Sequence, residues 1–321
     1  MDLFRSARVV TGAGASGAGH VDWTAVAEAA KASTRPGDLQ LSEADREGYA
    51  TDVRDARRRL QSVGDVSFDL PETVEIQNRH HWIDANVTTF ERVMRPIEER
   101  GPGLLAGPAR VVNTGLLAGL LAFLGRNVLG QYDPLLLADA DPADRDHGLY
   151  FVHPNIVRVA RELDVELPRF RRWIAFHEVA HAAEFGAAPW LPAHLETRLE
   201  RGIDAMTEGG LDREAFAELD VAMTAVEGYA ELLMDRAFDG DYADLRAKLD
   251  ARRGGGGPVS RLVRRLLGLG LKRRQYERGA AFFETIADAR GIAGASAVWK
   301  RPENLPTDAE LDDPSRWLAR V

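Results

Sequence analysis

The sequence predicts a mainly α-helical protein with at most a small β-sheet. Apolar residues recur at helical spacing through most of the chain, as in "NRHHWIDANVTTFERVMRPIEER" (78–100), where Trp82, Val87, Phe90 and Met94 fall on or near one stripe. Strand-like segments are few. "GLYFVHP" (148–154) is a short apolar run ended by proline, and "VSFDLPETVEIQ" (66–77) is extended and interrupted by Pro71.

Taken in order, "AVAEAAKAS" (25–33) and "SEADREGYATDVRDARRRLQSV" (42–63) read as helices, the second with Ser42 as N-cap. In the helix that follows, the adjacent His80 and His81 cannot share a face, so surface or capping roles are expected of them rather than metal binding. "VVNTGLLAGLLAFLG" (111–125) is the most apolar stretch, bracketed by Arg110 and Arg126. It falls short of the roughly 20 residues needed to span a bilayer. A buried core helix is expected, with Gly115 and Gly119 allowing close packing. The acidic piece 139–146 reads as a solvated loop whose spacing fails the EF-hand pattern.

Pro154 opens a helix toward Leu163, and 168–185 forms another, broken by "GAAPWLPAHL". Helices are expected at about 191–207 and 211–238. "RRGGGGPVS" (252–260) is a flexible glycine-rich loop without the Lys-Ser/Thr of a P-loop. "RLVRRLLGLGLKRRQYERGAAFFETIADARG" (261–291) is a basic amphipathic helix, and the C-terminus is an extended arm ending in a short helix. Residues 1–321 are expected to form a single domain with its active-site core at about 148–240.

Composition narrows the chemistry. There is no cysteine, which removes disulfides, thiolate ligands and a cysteine nucleophile. Any metal must then be held by the 8 histidines and the carboxylates. The net charge of −9 gives no general nucleic-acid footprint. No basic flank with a long apolar run and cleavage site opens the chain, so a cytoplasmic location without a transmembrane segment is expected.

The chemistry-bearing stretch is "RRWIAFHEVAHAAEFGAAPW" (171–190). A helix puts residues i and i+4 on one face, so His177 and His181 can aim two imidazoles at one ion. Glu178 sits to the side, where it can accept a proton from metal-bound water. Catalytic zinc needs a third protein ligand. The HExxHxxGxxH class fails, because Ala187 stands where its histidine would be. His194 stays open, but "TAVEGYAELLMD" supplies the stronger candidate in Glu227, with Glu231 one turn later. One carboxylate can bind the ion while the other accepts the N–H of a ligand histidine.

HEVAH with a downstream ExxxE on a second helix resembles the glutamate-zincin metallopeptidases. "LGQYDPLL", "FVHPNI", "PWL" and "LKRRQYERGAAFFETI" extend the likeness to the zincin-like proteins of actinobacteria and haloarchaea. Those are described as candidate zinc metalloproteases or as associated with coenzyme F420 biosynthesis. The likeness covers about 66–290. It implies a zincin-like metallopeptidase fold with additional helical layers, Zn2+ as cofactor, His177, His181 and Glu227 as ligands, and Glu178 as general base. Tyr229 departs from the pattern, standing where relatives commonly carry a histidine.

The expected activity is zinc-dependent hydrolysis of a peptide or a small amide. Tyr229, His194 and Tyr276 are the candidates for stabilising the oxyanion, although a straight helix turns Tyr229 away from Glu227. The competing class is a non-catalytic zincin-like scaffold or metal-binding interaction protein, and a third reading is hydrolysis of a small amide or ester in cofactor metabolism. Oligomeric state is not encoded in any pattern found.

Overall fold

The computed structural model describes residues 21–64, 68–100, 109–134, 147–207, 212–238, 244–245, 247–248 and 272–321. The acidic stretch 139–146 and the glycine-rich stretch 252–260 lie outside the described residues. The chain is mainly helical with a small three-stranded sheet, and it divides into two compact units interleaved along the sequence. No described helix is long and apolar enough to cross a membrane.

The first unit contains α1 (Trp23–Ala32), β1 (Thr73–Gln77), α3 (Arg79–Arg100), α4 (Ala109–Asn127), β2 (Gly130–Asp133) and β3 (Gly148–Val152). It also takes in the start of α5 (His153–Glu162). β3 is central, parallel to β1 and antiparallel to β2. "GQYD" pairs as β2 although it lacks an apolar alternation, because its pairing with β3 satisfies the backbone. With both of its edges paired, β3 cannot accept an added peptide strand.

Of the two histidines of α3, His81 lies on the surface as expected, whereas His80 is half-buried and the cap is Asn78. The Asn78 side chain accepts from the backbone N–H groups of His80 and His81, and the His80 ring contacts the Thr34 carbonyl at 2.7 Å. The apolar helix α4 departs from expectation. Ala118, Leu121 and Ala122 pack with Val26, Ala29, Trp82 and Ile83, but Val112 and Leu116 are 67% and 66% exposed. Among the described residues, partners pack against one side of the helix.

The second unit holds α2 (Glu43–Gly64), α6 (Leu167–Ala187), most of α7 (Leu191–Thr207), α8 (Arg213–Ala237) and α9 (Lys272–Ala295). Ser42 caps α2 as anticipated: its hydroxyl accepts the Asp45 N–H while the Asp45 carboxylate accepts the Ser42 N–H, each at 3.1 Å. Pro168 opens α6, and the helix is buried around most of its circumference, including Phe170, Trp173, Ile174, Phe176, Val179 and Ala183.

The paired arginines at the start of α6 dock it onto α2. Arg171 reaches Asp52 at 2.6 Å in a buried ion pair, with its guanidinium 5.3 Å from the Tyr49 ring centroid. Gly48 leaves the space, since a Cβ there would lie 2.3 Å from that guanidinium. Arg172 donates to Asp55, which Arg58 and Arg59 of α2 also contact.

Two glycines bring α8 and α9 together. A Cβ on Gly228 would fall 2.3 Å from the Gly279 carbonyl carbon, and one on Gly279 would fall 2.3 Å from the Thr224 carbonyl oxygen. Backbone therefore meets backbone beside Glu227. After α9 the chain is not an extended arm. It forms two 3-10 turns (Ser296–Lys300 and Pro302–Asn304) and the short helices α10 (Asp308–Asp312) and α11 (Pro314–Arg320). Trp299 and Trp317 are 1% and 0% exposed, and burying such apolar surface holds the segment down.

Two glycine substitutions should have opposite signs. Gly228→Ala should destabilise by about 1–3 kcal/mol, because the backbone it meets cannot rotate away. Gly119→Ala, on the exposed side of α4 with nothing within 4 Å of its Cβ, should stabilise by up to about 1 kcal/mol. Urea unfolding midpoints of both variants check this, and equal signs would contradict it.

Acid should act through Asp55. Burial works against its charge, but hydrogen bonds from Arg172 and Arg59 outweigh this and hold the folded pKa below the ordinary value. Its contribution is present above the unfolded value of about 3.9 and is lost as pH falls through the lower folded one. Asp55→Asn should thus be less stable than wild type at neutral pH, with the gap closing in acid. A gap independent of pH would refute the assignment.

Candidate metal centre

The site is built on α6 and α8. Along α6, residues 170, 173, 177, 181 and 184 recur at helical spacing and line one face. Phe170 stacks on Trp173 and Trp173 on His177, both pairs at 7° between planes, with 5.7 Å between the Trp173 and His177 centroids. His181 stands edge-on to His177 at 4.7 Å. A packed aromatic column thus orients the first imidazole, and the second is oriented differently.

From α8 comes Glu227, 5% exposed. Its Oε2 lies 3.9 Å from His177 Nε2 and 3.9 Å from His181 Nε2. Those separations are too long for hydrogen bonds. They are near the roughly 3.3–3.4 Å edge of a tetrahedron with metal–ligand bonds of about 2.0–2.1 Å. One ligand atom from each of His177, His181 and Glu227 lies within 4.8 Å of the others. Two imidazole nitrogens and a carboxylate oxygen suit zinc among the divalent ions, so the residues present fit a resident metal. The His177 and His181 side chains are 13% and 14% exposed, while the Glu227 Oε2 facing them is buried and accepts no hydrogen bond.

Three carboxylates act on His181. Burial opposes its charge, but a hydrogen bond to Glu184 and the charges of Glu184, Glu227 and Glu178 outweigh burial and raise its pKa. Burial also raises the pKa of Glu184, whose Oε2 sits 2.9 Å from His181 Nδ1. Glu178 is 7% exposed and lies outside the three-residue cluster.

The remaining candidates separate. Glu231 is buried one turn after Glu227. Tyr229 points into the core, as its helical offset required: its hydroxyl pairs with the Ser296 hydroxyl at 2.8 Å, and its ring meets Phe283 and Trp299. Burial pushes its pKa up to about 12, against the lowering effect of the Ser296 hydrogen bond. His194, on α7, packs edge-on against Trp190, and burial with the Arg198 charge pushes its pKa down to about 4. Tyr276 is on α9, its side chain outside the described residues.

Glu184 was missed in the sequence. The signal was present, three residues after His181 on the same helix, but it lay inside a run read as apolar.

A helix bearing two histidines one turn apart, faced by a glutamate from a second helix, defines a zincin-type metal-binding protein. The chain belongs to the zincin-like metallopeptidase family, which it matches over residues 21–212 and 208–318. It is also similar to a crystal structure from Chloroflexus aurantiacus described as a candidate hydrolase with a novel fold. The two share 30% identity over 100% of this chain and 98% of that one, with a TM-score of 0.73. No curated protein matches the chain.

Added zinc should raise the unfolding midpoint, by about 2.7 kcal/mol of stability at a hundredfold excess over Kd. His177→Ala and Glu227→Ala should lose that response. A thermal scan with and without zinc decides it, and an equal shift in all three proteins would place the ion elsewhere.

Proposed function

We propose that this protein is a zinc-dependent hydrolase, a metallopeptidase that cleaves peptide bonds, with His177, His181 and Glu227 holding the ion and Glu178 acting as general base. The carrying observation is Glu227 Oε2 placed equally far from two imidazole Nε2 atoms. Three protein donors, where a closed structural site has four, support catalysis, because a catalytic zinc keeps one position open. The likeness to a candidate hydrolase from Chloroflexus aurantiacus points the same way.

Zinc, when bound, would polarise a water and the scissile carbonyl. The chain's own residues do the rest. Glu178 follows His177 in sequence, so its carboxylate leaves the helix to one side of the ligand pair. Its charge is close enough to act on His181. A carboxylate oxygen of Glu178 accepts a proton from the attacking water and passes it to the nitrogen of the leaving amine. Burial of Glu178 keeps bulk water from competing for that proton. Stacking on Trp173 holds the His177 ring against rotation.

Glu178→Gln should retain one zinc per chain while hydrolysis of a peptide library falls by about 10²–10⁴-fold. Elemental analysis beside mass-spectrometric product detection reads both quantities. Full turnover in the variant would remove Glu178 from the mechanism, and a zinc-loaded wild type that cleaves no peptide would remove the peptidase assignment.

A further inference from the structure

Besides the aromatic column on His177, the site contains a second orienting contact, made by a residue that is neither ligand nor base. The Glu184 side chain has 0% exposure, and its Oε2 lies 2.9 Å from His181 Nδ1. We infer that Glu184 is a positioning residue for His181: it accepts the Nδ1–H and so holds the ring with Nε2 turned toward Glu227. The inference rests on the metal-binding reading above and extends it.

A neutral imidazole has one N–H and one lone pair. Donation of Nδ1–H to Glu184 leaves the lone pair on Nε2, the atom 3.9 Å from Glu227 Oε2. Without a fixed acceptor at Nδ1, the ring populates both tautomers and turns about its side-chain bonds, and each departure takes Nε2 away from the ion. An anionic acceptor also makes Nε2 a stronger donor.

The geometry has two features that favour this role. Glu184 is three residues after His181 on α6, so the pair is set by the helix itself and does not depend on packing between elements. Glu184 is also sealed from solvent, so bulk water does not compete with its carboxylate for the Nδ1–H. The two ligand histidines are thus oriented by different means. His177 is clamped by the stacked Trp173 ring, and His181 by a hydrogen bond to a carboxylate. The sequence offered Glu231 on α8 as an acceptor for a ligand histidine, and Glu184 adds an acceptor on the histidines' own helix.

The test uses the full-length protein with Glu184→Gln, which keeps the side-chain volume, and Glu184→Ala. Three quantities are read: zinc affinity by competition with a chromogenic chelator, the unfolding midpoint of the metal-free protein, and the His181 tautomer by nitrogen NMR of the zinc-loaded protein. Wild type should carry its proton on Nδ1. Zinc binding should weaken by about 10-fold in Glu184→Gln and up to about 100-fold in Glu184→Ala, with the variants still unfolding cooperatively. Should Glu184→Ala fail to fold, Glu184→Gln carries the test alone. Wild-type zinc affinity in the variants, with only a lowered unfolding midpoint, would make Glu184 a packing residue and overturn the inference while leaving the metal site intact. A wild type that binds no zinc would overturn the metal reading and this inference together.

Discussion

Three carboxylates, those of Glu178, Glu184 and Glu227, are buried close enough to one imidazole to act on its charge. Negative charge gathered out of water is costly unless cations or donors meet it. This constraint organises the second unit. A divalent ion among His177, His181 and Glu227 would supply positive charge where the carboxylates converge, and the arrangement is hard to explain as hydrophobic packing alone. The same constraint accounts for the direction of the His181 shift: in the absence of the ion, the proton is the available cation.

Holding such groups in place requires a stiff frame, and the frame has two joints. At one, Arg171 and Arg172 fasten α6 to Asp52 and Asp55 of α2. At the other, Gly228 and Gly279 let α8 and α9 touch backbone to backbone, one residue from Glu227. The first joint anchors the helix that carries the histidines. The second braces the helix that carries Glu227. Both use residue types whose value lies in what they contact: a buried arginine needs its carboxylate, and a contact glycine needs the absence of a side chain.

Much of the site was legible in the sequence. The spacing of His177 and His181 on one helix face follows from helical periodicity, and the donor types zinc prefers pointed to the carboxylates of a later helix as candidates. The turning of Tyr229 away from the site follows from the same geometry, and its contact with Ser296 agrees. Less was legible where the partner decides. α4 looked like a core helix by composition, yet Val112 and Leu116 are exposed because hydrophobicity does not say how many sides will be covered. The C-terminal segment looked extended, and the burial of Trp299 and Trp317 was invisible until their packing partners were known.

What the sequence determined by itself was local: helices with their caps, two histidines aimed the same way, and a chain without thiols whose metal chemistry must use nitrogen and oxygen. Periodicity and composition act over a few residues, so a one-dimensional pattern records them. Tertiary structure decided which distant carboxylate joins the two histidines in one cluster. It also decided which glycines are contacts and which are merely tolerated. Those choices depend on how helices far apart in sequence lie against one another, and the pattern along one helix does not carry that information.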